Sequence, residues 1–127
     1  MSKQLHGVWK DKSNTILVWV PYIMFEQGGF TVIYCPPLDL SGYGKTEEDA
    51  QQSFSITLDE YLSYTTSKGT LIKDLEMHGW KIKSKNLSKS PVPPDLSFSL
   101  NHNPEFRKIF DTYDFKKGRT EVEMPVC

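Results

Sequence analysis

The stretch from residue 40 to residue 62 most constrains the fold of this chain. It reads Leu-Ser-Gly-Tyr-Gly-Lys-Thr-Glu-Glu-Asp-Ala and continues with apolar residues at helical spacing. We expect Gly42 and Gly44 to adopt backbone angles that other residues resist, so that the preceding strand turns sharply. Thr46 then offers its hydroxyl to the free amides of a new helix, and Asp49 completes a capping-box pattern.

The helix predicted after Thr46 has one apolar and one polar face. Its apolar face, which must pack on another element, consists of Ala50, Phe54, Leu58, Tyr61 and Leu62. The residues expected to face water are Glu47, Glu48, Gln51, Gln52, Asp59 and Glu60. The pattern therefore predicts an amphipathic helix laid across a sheet.

The segments before this helix predict the strands of that sheet. Residues 15–20 and 22–25 are rich in β-forming side chains, and Pro21 between them must lie at an edge, a bend or a strand start. Residues 30–35 form a further strand, which follows a Gly-Gly turn and stops at two prolines. Because sequential elements are usually neighbours, we expect an α+β fold with a small antiparallel sheet covered by helices.

Several of these features together resemble the HicB-like antitoxin domain. They are the hairpin with a glycine turn, the Pro37-Leu38-Asp39 element, the Gly-x-Gly-x-Thr-x-Glu-x-Ala stretch from Gly42 to Ala50, and the helix ending near Leu62. The resemblance implies a partial ribonuclease H-like β-β-β-α core without catalytic residues of its own. It also implies pairing with a small basic HicA toxin, an RNA-cleaving enzyme, and in many members operator binding as dimers or higher oligomers.

The resemblance divides the chain into three segments. Residues 1–14 are an N-terminal tail, residues 15–65 are the HicB-like domain, and residues 66–127 are a C-terminal α/β extension packed on it. In the extension we predict a helix over 70–78 stopped by Gly79, a strand at 80–83, a helical turn capped by Asp95, a helix capped by Asn103 and a strand at 119–126.

Charge is distributed unevenly along the chain. Residues 1–65 carry four lysines and eight acids, whereas residues 66–127 carry eleven cations and eight acids. An acidic helix face suits a basic partner, so we predict partner binding by Glu47, Glu48, Asp59 and Glu60. The residues predicted to build the structural motif are Gly42, Gly44, Thr46 and Ala50. The alternative reading of the acids is a solvated helix face with carboxylates near its N-terminus.

A nucleic-acid interface is a further alternative. Lys81, Lys83 and Lys85 can contact phosphate while Trp80 stacks on a base; the other reading places Trp80 in the core. Family members that repress their operon typically end in a ribbon-helix-helix or helix-turn-helix. Here the last strand alternates with glutamate and no helix pair follows it, so no ordinary DNA-reading tail is predicted.

An enzyme is not expected. The helix-Gly-Trp-strand order over residues 70–83 is similar in outline to the opening of the HicA fold, but residues 84–90 lack the histidine that such toxins carry. The three histidines, His6, His78 and His102, have no placed catalytic partner. We therefore expect no catalytic residue, no metal site and no cofactor.

Cys35 and Cys127 are far apart, which argues against a disulfide framework, and neither a signal pattern nor an apolar run long enough for a membrane occurs. We expect a cytoplasmic, non-membrane protein, either a dimer or a tetramer.

The leading hypothesis is an antitoxin-type protein that binds and neutralises a HicA-like ribonuclease. The alternative is a stand-alone oligomeric scaffold or small regulator without a toxin, including one that binds nucleic acid.

Overall fold

The computed structural model describes residues 15–84, 86–87 and 89–125. The predictions for the 1–14 tail, His6, Lys85 and Cys127 lie outside these residues. The elements in chain order are β1 (Thr15–Gln27), β2 (Phe30–Cys35), β3 (Leu40–Gly44), α1 (Glu47–Lys68), α2 (Leu71–Met77), α3 (Leu96–His102), α4 (Pro104–Thr112) and β4 (Phe115–Pro125).

Within the described residues, the strands form one antiparallel sheet in the order β3-β2-β1-β4. The predicted α+β class with a small antiparallel sheet under helices is therefore confirmed. Strand β1 runs unbroken through Pro21, and of the predicted positions for this proline (an edge, a bend or a strand start) the edge is the one observed. Pro21 is tolerated because β2 pairs only with Ile23 to Gln27, which leaves the proline's segment paired with β4 alone.

The β1–β2 connection is a tight hairpin turn. Gly28 and Gly29 have φ angles of 58° and 84°, which a two-residue turn with positive φ at both positions requires. Glycine adopts these angles without the steric cost that a β-carbon brings. This local sequence fixes the pairing of Phe25 with Val32 across the hairpin.

Helix α1 covers one face of the sheet. Every second residue of β1 points to this face, starting with Val18 and Val20, and meets the buried side of the helix. The larger buried cluster contains Val18, Val20, Ile33, Cys35, Leu38, Ala50, Phe54, Leu58, Leu62, Leu71, Leu75, Trp80, Leu87, Val122 and Met124. Residues from both halves of the chain thus share one core.

Helices α3 and α4 cover part of the opposite face. The buried residues there are Ile23, Phe25, Tyr34 and Phe106, and half-buried residues of α3, α4 and β4 pack around them. The Tyr34 hydroxyl donates to Asp39 at 2.6 Å and accepts from the Asn103 side chain at 2.8 Å. This network fixes the start of α4 to β2.

The predicted helix starts are confirmed at atomic detail. Thr46 Oγ1 accepts from the amide of Asp49 at 3.0 Å, and Asp95 and Asn103 cap α3 and α4 in the same way. Gly79, with φ of 94°, follows α2 as predicted. Helix α1 extends beyond the predicted Leu62 to Lys68, where Gly69 ends it in a left-handed conformation.

The reason predicted for Gly42 and Gly44 is wrong. Neither has a positive φ, and both lie inside β3 rather than at a sharp turn. A β-carbon on Gly42 would lie 2.6 Å from the Cα of Phe54, and one on Gly44 would lie 2.8 Å from the amide nitrogen of Ala50. Glycine is needed because the α1 backbone touches the strand, and this contact cannot be seen in local sequence.

The strand predicted at 80–83 is also wrong. The segment makes one isolated bridge, between Lys81 and Val92, and does not join the sheet. Ile82 packs against the larger core while Lys81 and Lys83 are exposed, so the alternation of apolar and basic residues is real. The alternation reflects a half-buried extended segment, which has the same period of two as a strand.

Candidate partner-binding face

Helix α1 is exposed to solvent on the side away from the sheet. Its 22 residues span about 33 Å at the normal helical rise. The buried line consists of Ala50, Phe54, Leu58, Leu62 and Thr65. On the opposite side, Gln52, Ile56 and Glu60 are exposed and Asp59 is half-buried.

Ile56 lies at the centre of this solvent face. Its side chain is 57% exposed although it is a large aliphatic residue. At 100° per residue, Gln52 and Glu60 are its neighbours one turn away, and Asp59 is its neighbour three residues on. The side chain is therefore an apolar spot inside a rim of carboxylates and amides. We call the surface formed by Glu48, Asp49, Gln52, Ile56, Asp59 and Glu60 the α1 solvent face.

The four predicted partner-binding residues do not all converge. Glu48 and Asp59 are eleven residues apart, which places them on nearly the same side of the helix with about 16 Å between them. Glu60 flanks this line and is exposed, while Asp59 is half-buried. Glu47 points elsewhere, towards the sheet edge, where its Oε2 lies 3.8 Å from Lys116 Nζ.

Sequence reasoning missed Ile56 and Tyr64. Both are exposed, Tyr64 by 64%, and the ammonium of Lys68 lies 5.9 Å from the Tyr64 ring centre. The available signal was the position of Ile56 two residues from both Phe54 and Leu58, since residues two apart face different sides of a helix. An aliphatic residue off the buried line is the mark of an exposed apolar side chain.

A polar cleft of about 500 Å³ borders this face. It lies between α1 and the strands β1 and β4, and its lining includes Tyr22, Glu48, Gln52, Ser55, Arg119 and Thr120. The cleft offers hydroxyls, an amide and charges of both signs beside the start of the helix. Such a lining can receive a polar side chain of a docked protein.

The described residues contain no cluster of three or more His, Cys, Asp or Glu side chains that could hold a metal ion. The His78 ring contacts the carbonyl oxygen of Asp74 at 2.8 Å, and the His102 ring stacks on Phe98 at 4.1 Å. Both histidines therefore make local helix-end contacts. None of the helices in the described residues combines the length and the apolar composition that a membrane span needs.

The strongly shifted titratable groups lie in the core rather than at a surface site. Burial raises the pKa of the Cys35 thiol to about 12, so the sulfur stays protonated and is a poor nucleophile near neutral pH. Burial, with a hydrogen bond to Asp74, also raises the pKa of Tyr61, and burial with the bond to Asp39 raises that of Tyr34. These groups serve packing and hydrogen bonding.

The nucleic-acid alternative loses its stacking residue. Trp80 is buried, and its indole nitrogen donates to the carbonyl oxygen of Pro37 at 2.8 Å. The hypothesis that Trp80 stacks on a base is therefore wrong, because the ring is already enclosed. Lys81 and Lys83 remain exposed.

Comparison with protein-family models, with curated proteins and with solved structures found no match to this chain.

Proposed function

We propose that this chain is a non-catalytic, HicB-like antitoxin-type protein of the cytoplasm that binds and neutralises a small basic HicA-like ribonuclease. The observation that carries the proposal is the exposed Ile56 at the centre of the acidic α1 solvent face. Protein interfaces typically combine an apolar centre with a polar rim, and the centre contributes most of the binding energy.

The charge of the α1 solvent face supports a basic partner. Carboxylates of Glu48, Asp49, Asp59 and Glu60 surround the apolar centre. A ribonuclease must hold a polyanion, so its RNA-binding surface carries lysines and arginines. A rigid acidic helix attracts the same cations, and its binding competes directly with RNA for them.

Rigidity of the helix supports the same role. The α1 backbone touches β3 at Gly42 and Gly44, and Thr46 caps its first turn. Docking of a partner on α1 therefore does not require the α1 backbone to become ordered, which lowers the entropic cost of binding. The motif residues thus act as the support for the binding face rather than as contacts.

The alternative is a stand-alone oligomeric scaffold or small regulator without a toxin partner. The outer edge of β4 favours it, because no strand in the described part of the chain pairs with this edge, which offers a surface for assembly. The exposed Lys81 and Lys83 are the cations available in that case for nucleic acid.

Co-purification from native expression tests the proposal. We expect the full chain to carry a small basic protein in a one-to-one ratio, identified by mass spectrometry. Ile56→Asp should release that protein, because the substitution removes the apolar contact at the centre of the face. An added carboxylate does not repel a basic partner, so the release would report the loss of the apolar contact. Met77→Asp is the matched control, since Met77 is an exposed apolar residue on α2, with 75% of its surface accessible.

Two outcomes contradict the proposal. One is recovery of the chain without any small basic protein under native expression. The other is a co-purified protein that both variants retain equally, since its contacts then lie away from the α1 solvent face.

A further inference from the structure

The two outer edges of the sheet are treated differently. Strand β3 has only five residues, α1 lies against it, and the amide of Tyr43 donates to Ser53 Oγ at 3.2 Å. Strand β4 has eleven residues, and no described strand pairs with its outer side. A long open edge is a template for pairing with another strand unless something covers it.

The charges along β4 are arranged in two blocks of opposite sign. The first half carries Lys116, Lys117 and Arg119, and the second half carries Glu121 and Glu123. Thr120 separates the two blocks and is also the midpoint of the strand, which runs from Phe115 to Pro125. A strand of this kind is complementary to a reversed copy of itself.

We propose that β4 pairs antiparallel with β4 of a second copy of this chain, about a two-fold axis at Thr120. The two four-stranded sheets then form one continuous sheet, with both α1 helices on the same side. Arg119 faces Glu121 of the second copy and Lys117 faces Glu123 of the second copy. The symmetry repeats each of these contacts, as in any two-fold interface.

Other registers of the same edge are unfavourable. A shift that puts Arg119 or Glu121 on the axis sets that residue against itself, and like charges directly opposite destabilise a strand pair. A two-fold axis normal to the sheet leaves the α1 side of both copies on the same side of the combined sheet. Directly opposite residues must then point to the same side, so a register that pairs odd-numbered with even-numbered residues is excluded. The Thr120 register satisfies both conditions.

The side chains on both faces of the β4–β4 contact, which we call the seam, are compatible with this pairing. On the α1 side, Val122 of the second copy meets Gly118, where the Tyr22 ring already fills the space of a β-carbon, 2.5 Å from it. On the other side, the Arg119 guanidinium lies 5.2 Å from the Trp19 ring centre. Because Trp19 lies on β1, this contact holds the cation one strand in from the outer edge of β4, and the Arg119 side chain turns outward to meet the carboxylate of the second copy.

Charge exchange tests the seam. Sedimentation equilibrium of the full chain should give a dimer. Arg119→Glu alone should weaken dimerisation by at least about tenfold, and so should Glu121→Arg alone. In each single variant, like charges face each other twice across the two-fold axis. The double variant R119E/E121R should restore the dimer. A wild-type monomer, or single variants that dimerise as tightly as wild type, would overturn the proposal.

A cysteine pair tests the register independently of the charges. In a C127S background, Thr120→Cys should form a disulfide-linked dimer under mild oxidation, because directly opposite β-carbons lie about 5 Å apart. Lys117→Cys is the control, since its two copies are about 20 Å apart in this register. Cross-linking through Lys117→Cys but not Thr120→Cys contradicts the proposed axis.

The seam and the α1 solvent face are tested separately. The dimer is measured without any other protein, and Ile56→Asp should leave it unchanged because Ile56 faces solvent on α1. Failure of the seam therefore leaves the proposed function standing, and failure of the proposed function leaves the seam standing.

Discussion

The indole nitrogen of Trp80 donates a hydrogen bond to the carbonyl oxygen of Pro37, 43 residues earlier in the chain. This bond joins the segment after α2 to the Pro-Leu-Asp element at the end of β2. Both residues are buried beside Leu38, so water cannot replace the bond. The contact fixes the second half of the chain to the core that also supports α1.

Replacing Trp80 with Phe should lower the free energy of unfolding by about 1–3 kcal/mol. The substitution leaves the Pro37 carbonyl without its donor and creates a small void. Urea denaturation followed by circular dichroism measures the change. Trp19→Phe is the matched control, because Trp19 is 51% exposed and its loss should change stability by less than about 0.5 kcal/mol. Equal effects from the two substitutions would contradict the importance of this bond.

Replacing Gly42 with Ala should destabilise the protein by about 1–3 kcal/mol or more. The added methyl group meets the α1 backbone at Phe54, and backbone cannot move aside as a flexible side chain does. Thermal and urea unfolding measure the loss. Ser41→Ala, on the neighbouring exposed position of β3, should have little effect. A neutral Gly42→Ala would mean that α1 does not approach β3 this closely.

Replacing Thr46 with Ala should cost about 1 kcal/mol. The variant removes the hydroxyl that accepts from the Asp49 amide at the first turn of α1. Thr46→Ser keeps the oxygen and should retain most of the stability. Hydrogen exchange of the first-turn amides, compared between the two variants, locates the effect; equal exchange rates would argue against the cap.

Stability should fall as pH rises above about 8.5. Cys35 has an ordinary thiol pKa of about 8.5 in the unfolded chain, whereas burial raises its pKa in the folded protein to about 12. Between these values the unfolded state binds fewer protons, so unfolding becomes easier by up to about 1.4 kcal/mol per pH unit. Urea titrations between pH 7 and about 9.5, below the ordinary tyrosine pKa of about 10, should show the onset of this slope. The same slope in Cys35→Val would assign it to another group.

The parts of the fold that depend on local chemistry could be predicted from the sequence. The caps at Thr46, Asp95 and Asn103 and the stop at Gly79 need only neighbouring residues, and each was found where the sequence indicated. The role of Gly42 depends on how closely α1 approaches β3, which is a tertiary distance. The continuity of β1 through Pro21 depends on where β2 ends, which the sequence of β1 does not contain.

The candidate site divides in the same way. The acidic character of α1 could be predicted from composition and helical spacing. Helical spacing identifies the buried side of α1, but it does not show that Ile56 is exposed among acidic and amide side chains, which depends on how the helix lies on the sheet. Trp80 could be assigned to the core or to a surface by sequence, and its partner Pro37 decides between them.

The measurement that tests the central claim most directly is cleavage of RNA by the co-purified basic protein, titrated with this chain. We predict that cleavage stops near an equimolar amount of the wild-type chain, because the α1 solvent face occupies the cations that hold RNA. Ile56→Asp should require at least about tenfold more protein for the same inhibition, while Met77→Asp should match wild type. Undiminished cleavage in the presence of excess wild-type chain, or equal inhibition by Ile56→Asp, would contradict the account.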